Sequence, residues 1–185
     1  HKMYGPKGSA CLFIREGVSI SPLINGGGQE RKMRSGTENI AGIVGFAQAV
    51  ETGLKEAKKN NLKMIGMQEN LIKEILKIPN VKLNGPSLGK DRLCNNLNFT
   101  FRNIEGEAIM GFLNEEGIYI STGSACSSHR LEPSHVLTSI GLSDLEANTS
   151  IRISLSKFNT QEELVIFIKK LKLIVTKLRA ISPFN

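Results

Sequence analysis

Apolar residues recur at helical spacing through the middle of the chain. Ile40, Ile43, Val44, Ala47, Val50 and Leu54 fall on one stripe, which predicts a helix from about Glu38 to about Lys59. Leu62, Ile65, Ile72, Ile75 and Leu76 keep the same period, so the pattern predicts one long or slightly broken helix reaching about Lys77 and ended by Pro79. Beyond it the period shortens to two. Val81 to Leu83 predicts a short strand before an Asn84-Gly85-Pro86 turn, and NLNFTFR sets Leu97, Phe99 and Phe101 on one face of another. IRISLS repeats the alternation, with Ile151, Ile153 and Leu155 toward a core and Arg152 and Ser154 away from it.

Helices fill the remaining intervals. One is predicted over Glu105 to Glu115, closed by Gly117 as a left-handed cap, and a short one over Pro133 to Ile140. Between them, Ile118 to Ile120 predicts a strand leading into STGSACSSHR. Ser143 with Glu146, and Thr160 with Glu163, make capping boxes. The second opens a final helix whose Lys177 and Arg179 suit its negative C-terminal end. On the N-terminal side, KGSACLFIR (Lys7 to Arg15) predicts a buried strand after a Tyr4-Gly5-Pro6 turn. A polar, glycine-rich loop, INGGGQERKMRSGTEN, follows from Ile24 to Asn39. The expected sum is an α+β lobe from about residue 78 onward, attached by the long helix to part of something else. The opening HKMYGPKG reads as cut from the middle of a larger fold.

With 185 residues, 40% hydrophobic and 22% charged, the chain is long enough for one domain, or for a small domain and part of another. It has no apolar run of about 18 residues, so no membrane span is expected. The three cysteines, Cys11, Cys94 and Cys126, follow no metal-ligand spacing, and no secretory pattern opens the chain. Free thiols and a cytoplasmic location are the expectation. A net charge of +7 and a pI near 9.4 raise the question of nucleic acid. The lysines are scattered, however, and two tyrosines without tryptophan offer little for base stacking. The charges are expected on solvated helix faces, where they could steer an acidic protein; nucleic acid is not an expected partner.

Four features carry candidate chemistry. Cys126 lies among glycine, alanine and serines, a setting open enough for a reactive thiolate, although a serine-rich turn would look the same. Lys2, beside a Gly-Pro turn, is either a surface lysine or a Schiff-base lysine. The glycine-rich loop offers backbone N–H groups to an anion, with Thr37 and Arg34 as further donors, and it contains no GxxxxGK[ST] nucleotide motif. Arg152, off the core face of an apolar strand, can grip a carboxylate with its planar fork or form a surface salt bridge.

Taken together, His1-Lys2, GGGQERKMRSGTEN, and GSACSS followed by LEPSHVL closely resemble cysteine desulfurases of the NifS/IscS type, within the class V aminotransferases. The likeness runs along essentially the whole chain but corresponds to the C-terminal half of that family's protein. It implies the small C-terminal domain of a fold-type I pyridoxal-phosphate transferase over residues 51–185. Residues 1–50 would be a remnant of the large cofactor-binding domain, the long helix joining the two. It implies that Lys2 carries pyridoxal 5'-phosphate, that His1 lies against the cofactor phosphate, and that Thr37 reaches the phosphate of the neighbouring subunit in a homodimer. Arg152 becomes the clamp on the carboxylate of L-cysteine. Cys126 becomes the nucleophile that takes the sulfur as a persulfide and passes it to an iron–sulfur scaffold protein or another acceptor. No intrinsic metal is implied, Cys126 being at most an iron–sulfur ligand in trans. The residues that stack on the cofactor ring and pair with its nitrogen belong to the family's other half. This chain alone is therefore expected to be inactive, and the alternative reading is a cofactor-free sulfur-carrier or interaction module.

Overall fold

The computed structural model describes residues 1–122 and 133–182. The chain divides into two units, His1–Lys58 and Lys59–Asn185. The first unit holds the glycine-rich loop, with a single turn of tight helix at Glu30–Lys32, and the start of helix α1, Ile40–Ile75. This helix runs unbroken for 36 residues. It stops four residues short of Pro79, and Asn80 then turns the chain in the left-handed region at φ +54°.

The strand expected over Lys7 to Arg15 is not formed. Leu12 is 74% and Phe13 88% exposed, and Cys11 is exposed as well. A strand needs a neighbouring edge for its N–H and C=O groups, and among the described residues the first unit contains no strand to supply one. The apolar run alone could not create that partner.

The second unit builds its core on one antiparallel sheet, β1 (Val81–Leu83), β2 (Asn96–Phe101) and β3 (Ser150–Ser154), in the order β1-β2-β3. Pairing of Leu97 with Ile153 and Phe99 with Ile151 sets the register. Because alternate residues face opposite ways, Leu97, Phe99, Phe101, Ile151 and Ile153 form one apolar face, and all are buried. Met67, Leu71 and Ile75 of α1, Ile109 and Leu113 of α2 (Gly106–Glu115), and Leu171 and Val175 of α5 (Gln161–Ile181) belong to the same core. Both capping boxes are present: Ser143 with Glu146 opens α4 (Asp144–Asn148), and Thr160 with Glu163 opens α5. The short helix α3 (His135–Ser139) precedes α4.

Ile118 to Ile120 does not form a strand. The Ile118 amide donates to the Leu113 carbonyl at 2.9 Å, and that of Gly117, at φ +73°, donates to Asn114 at 3.0 Å. These bonds cap α2 and commit the Ile118 amide to the helix end rather than a ladder. Only Ser121 reaches β3, as a single bridge to Arg152.

Candidate active site

The second face of the sheet is polar. Asn96, Asn98 and Thr100 of β2 share it with Ser150, Arg152 and Ser154 of β3, by the same alternation that buries their neighbours. At its Thr100–Ser150 end lies a buried hydrogen-bonded cluster. Asn84 Nδ2 lies 2.7 Å from Asn98 Oδ1, 2.9 Å from Thr100 Oγ1 and 3.1 Å from Ser150 Oγ. Thr100 Oγ1 lies 3.1 Å from Asn84 Oδ1, and Ser150 donates to the Glu146 carbonyl at 2.6 Å. Arg92 ties down the segment between β1 and β2: its guanidinium donates to the Pro86 carbonyl at 2.7 Å and the Asn84 carbonyl at 2.5 Å. Burial pushes that guanidinium below its ordinary pKa.

Alongside the cluster opens a cavity of about 460 Å³, whose walls include Asn98, Arg152, Arg92, Asp91, Ser134 and His135. Arg152 is half-buried there. Among the described residues its guanidinium forms no ion pair or hydrogen bond, while its backbone exchanges two hydrogen bonds with Ser121. The surface salt bridge considered for Arg152 is therefore absent among the described residues. A cation with five donors in a planar fork, held at a cavity wall without a counter-ion among the described residues, is suited to an incoming carboxylate.

Cys126 lies outside the described residues. The chain on either side of that segment is placed, however. Ser121 exchanges backbone hydrogen bonds with Arg152, and Ser134 lines the Arg152 cavity.

In the first unit, His1, Lys2 and Thr37 are all exposed. The glycine-rich loop closes through Ser35 and Gln29, with the Arg34 guanidinium lying against Gly36. Ser35 Oγ donates to the Gly27 carbonyl at 2.6 Å, and the Gly36 amide donates to Gln29 Oε1 at 3.1 Å. A Cβ at Gly27 would stand 2.7 Å from the Gln29 side chain, and Gly36 holds φ +118°. The loop walls a hollow of about 320 Å³ that includes Gly26, Gly27, Ser35 and Thr37. Arg34 donates to the neighbouring Ser35 carbonyl at 2.8 Å.

Sequence reading singled out Arg152 and Thr37 but missed Asn84, Asn98, Ser35 and Gln29. For Asn98 and Thr100 a signal was there: polar residues at the alternate positions of NLNFTF, opposite Leu97, Phe99 and Phe101. Among the described residues, no group of three or more histidines, cysteines or acids is placed to hold a metal ion. Nor is any described helix long and apolar enough to cross a membrane.

The family profile of the aminotransferases, class V, matches residues 1–167. The chain belongs to that family. It is 48% identical over 185 residues to a cysteine desulfurase IscS of Methanosarcina thermophila, covering 100% of this chain and 45% of that protein. The solved structure of a NifS-like protein is similar over 96% of this chain and 45% of its own, with TM-score 0.85 and 38% identity. A second, SspA in complex with cysteine, is similar over 86% of this chain and 43% of its own, with TM-score 0.59 and 35% identity. The chain thus spans less than half the length of these class V relatives.

Proposed function

We infer that this chain is the carboxylate-binding and sulfur-accepting part of a cysteine desulfurase, which takes sulfur from L-cysteine and leaves L-alanine. The observation that carries this reading is the Arg152 guanidinium, without a side-chain partner among the described residues, in a cavity lined by Ser134 on one flank of the Cys126 segment, while Ser121 on the other flank bonds the Arg152 backbone. The IscS relative and the cysteine-bound SspA point to the same substrate.

The family's cofactor is pyridoxal 5'-phosphate, and the residues present fit two of its ends. Lys2 offers an exposed primary amine to an aldehyde. The hollow beside Gly26, Gly27 and Thr37 has room and donors for a phosphate, in keeping with Thr37 serving a neighbouring subunit. His1 and Lys2 would hold the group, which supplies an electron sink for bonds at the substrate α-carbon.

The chain's own residues then divide the work. Arg152 fixes the carboxylate and so orients the α-carbon. The Lys2 amine moves the proton there. Cys126 acts as the thiolate, because the thiol is a weak nucleophile. An S–S bond forms between Cys126 and the substrate sulfur as the substrate Cβ–S bond breaks, and the Cβ electron pair takes a proton on the way to alanine. The Cys126 persulfide is then passed to an acceptor such as an iron–sulfur scaffold.

Sulfide release from L-cysteine under reducing conditions, measured in the full-length protein, tests this reading. Cys126→Ser is expected to abolish release. Arg152→Ala is expected to weaken cysteine binding by about 2–5 kcal/mol, the usual loss on truncating one side of a buried charged contact. Release by the serine variant, or a KM and kcat within twofold of the parent for the alanine variant, refutes the assignment.

A further inference from the structure

We propose that Asn98 is a second anchor for the substrate carboxylate, its side-chain N–H group donating beside the Arg152 fork. The inference rests on the reading of Arg152 as the clamp and extends it to specificity. Asn98 and Arg152 are direct cross-strand partners on the polar face of the sheet, and both line the same cavity. Directly opposite residues hold their Cβ atoms roughly 5 Å apart, so two such side chains can meet the two oxygens of one carboxylate.

The buried cluster decides which end of the Asn98 amide is presented. Ser150 gives its hydrogen to the Glu146 carbonyl, so its oxygen is left to accept. The Asn84 amide nitrogen faces three oxygens of the cluster, Asn98 Oδ1, Thr100 Oγ1 and Ser150 Oγ, and its shortest contact is Asn98 Oδ1 at 2.7 Å. With Oδ1 taken as acceptor, Asn98 turns its Nδ2 hydrogens the other way. They have no acceptor among the described residues. A polar wall position holding an oriented, unsatisfied donor next to an unpaired arginine is a two-point site for a carboxylate.

Asn98→Leu keeps about the size of the side chain while removing the two donor hydrogens without placing a carboxylate opposite Arg152. In the full-length protein, the expected result is a KM for L-cysteine raised about tenfold or more, as for a lost hydrogen bond to a charged group. The loss should fall on KM more than on turnover, and circular dichroism should show the fold of the parent. A KM within twofold of the parent, with Arg152→Ala still impaired, overturns the role of Asn98 and leaves that of Arg152. An unchanged KM in both variants overturns both.

A readout independent of turnover is the ¹⁵N side-chain spectrum of the full-length protein titrated with L-alanine. The Asn98 NH₂ pair and the Arg152 Nε–H should shift together. Movement of Arg152 alone overturns the second anchor, and movement of neither removes the clamp as well.

Discussion

A single added methyl group at Gly106 is expected to destabilise the second unit, although glycine-to-alanine changes in helices ordinarily stabilise. Gly106 is the first residue of α2, and a Cβ there would stand 2.5 Å from the Ser150 carbonyl oxygen and 3.1 Å from that of Asn148. Ordinary contact begins at 3.4 Å, so the two backbones must part by about 3.4 − 2.5 = 0.9 Å. Ser150 cannot yield freely, since its strand is paired to β2 and its hydroxyl belongs to the Asn84 cluster. The start of α2 must move instead, carrying Ile109 and Leu113 out of register with the core.

Overpacking of this kind costs about 1–3 kcal/mol, and the lower chain entropy of alanine in the unfolded state returns about 0.4–1 kcal/mol. A net loss of about 1–2 kcal/mol is expected, seen as a lowered midpoint in thermal unfolding followed by circular dichroism. Gly111 supplies the control within the same helix, because a Cβ there meets nothing within 4 Å. Gly111→Ala should stabilise by about 0.5–1 kcal/mol. If Gly106→Ala proves as stabilising as Gly111→Ala, the close approach of α2 to β3 is not as described.

Thiol reactivity and acid titration give further tests. Cys11 is exposed whereas Cys94 is half-buried, its sulfur 3.6 Å from Asn61 Oδ1. A limiting alkylating reagent should therefore label Cys11 ahead of Cys94, and peptide mapping that found the reverse order would contradict the placement of both. Hydrogen bonds from the Asn159 side chain and then the Thr160 amide hold the Glu163 carboxyl below its ordinary 4.5. A depressed carboxyl adds stability that is complete above its unfolded pKa and is lost as pH falls through the folded one. Glu163→Gln should therefore flatten the fall in thermal midpoint below about pH 4.5, and an unaltered acid limb would show the capping box to be energetically idle.

The sequence by itself determined most of the second unit's elements and the buried face of its sheet. Alternation in NLNFTF and IRISLS and the two capping boxes are local signals that the fold leaves in agreement with one another. The stripe of α1 announced the helix but not its buried face, since Ile40, Val44, Leu54 and Leu62 are exposed while Met67, Leu71 and Ile75 are buried. Arg152 was legible for the same reason: a charge at an outward position of an apolar strand is visible without any partner in view. What needed the tertiary structure were the properties made by pairing. KGSACLFIR has the composition of a strand but no edge to pair with among the described residues of its unit. Ile118 gives its amide to the end of α2. Neither outcome is written in the segment concerned, because a ladder hydrogen bond belongs to two segments at once. The same holds for Asn84 and Asn98, which lie 14 residues apart in an otherwise ordinary turn and strand. Only the register of β2 on β3 brings Asn98 opposite Arg152, and only burial of Asn84 beside Thr100 and Ser150 sets its amide nitrogen against Asn98 Oδ1.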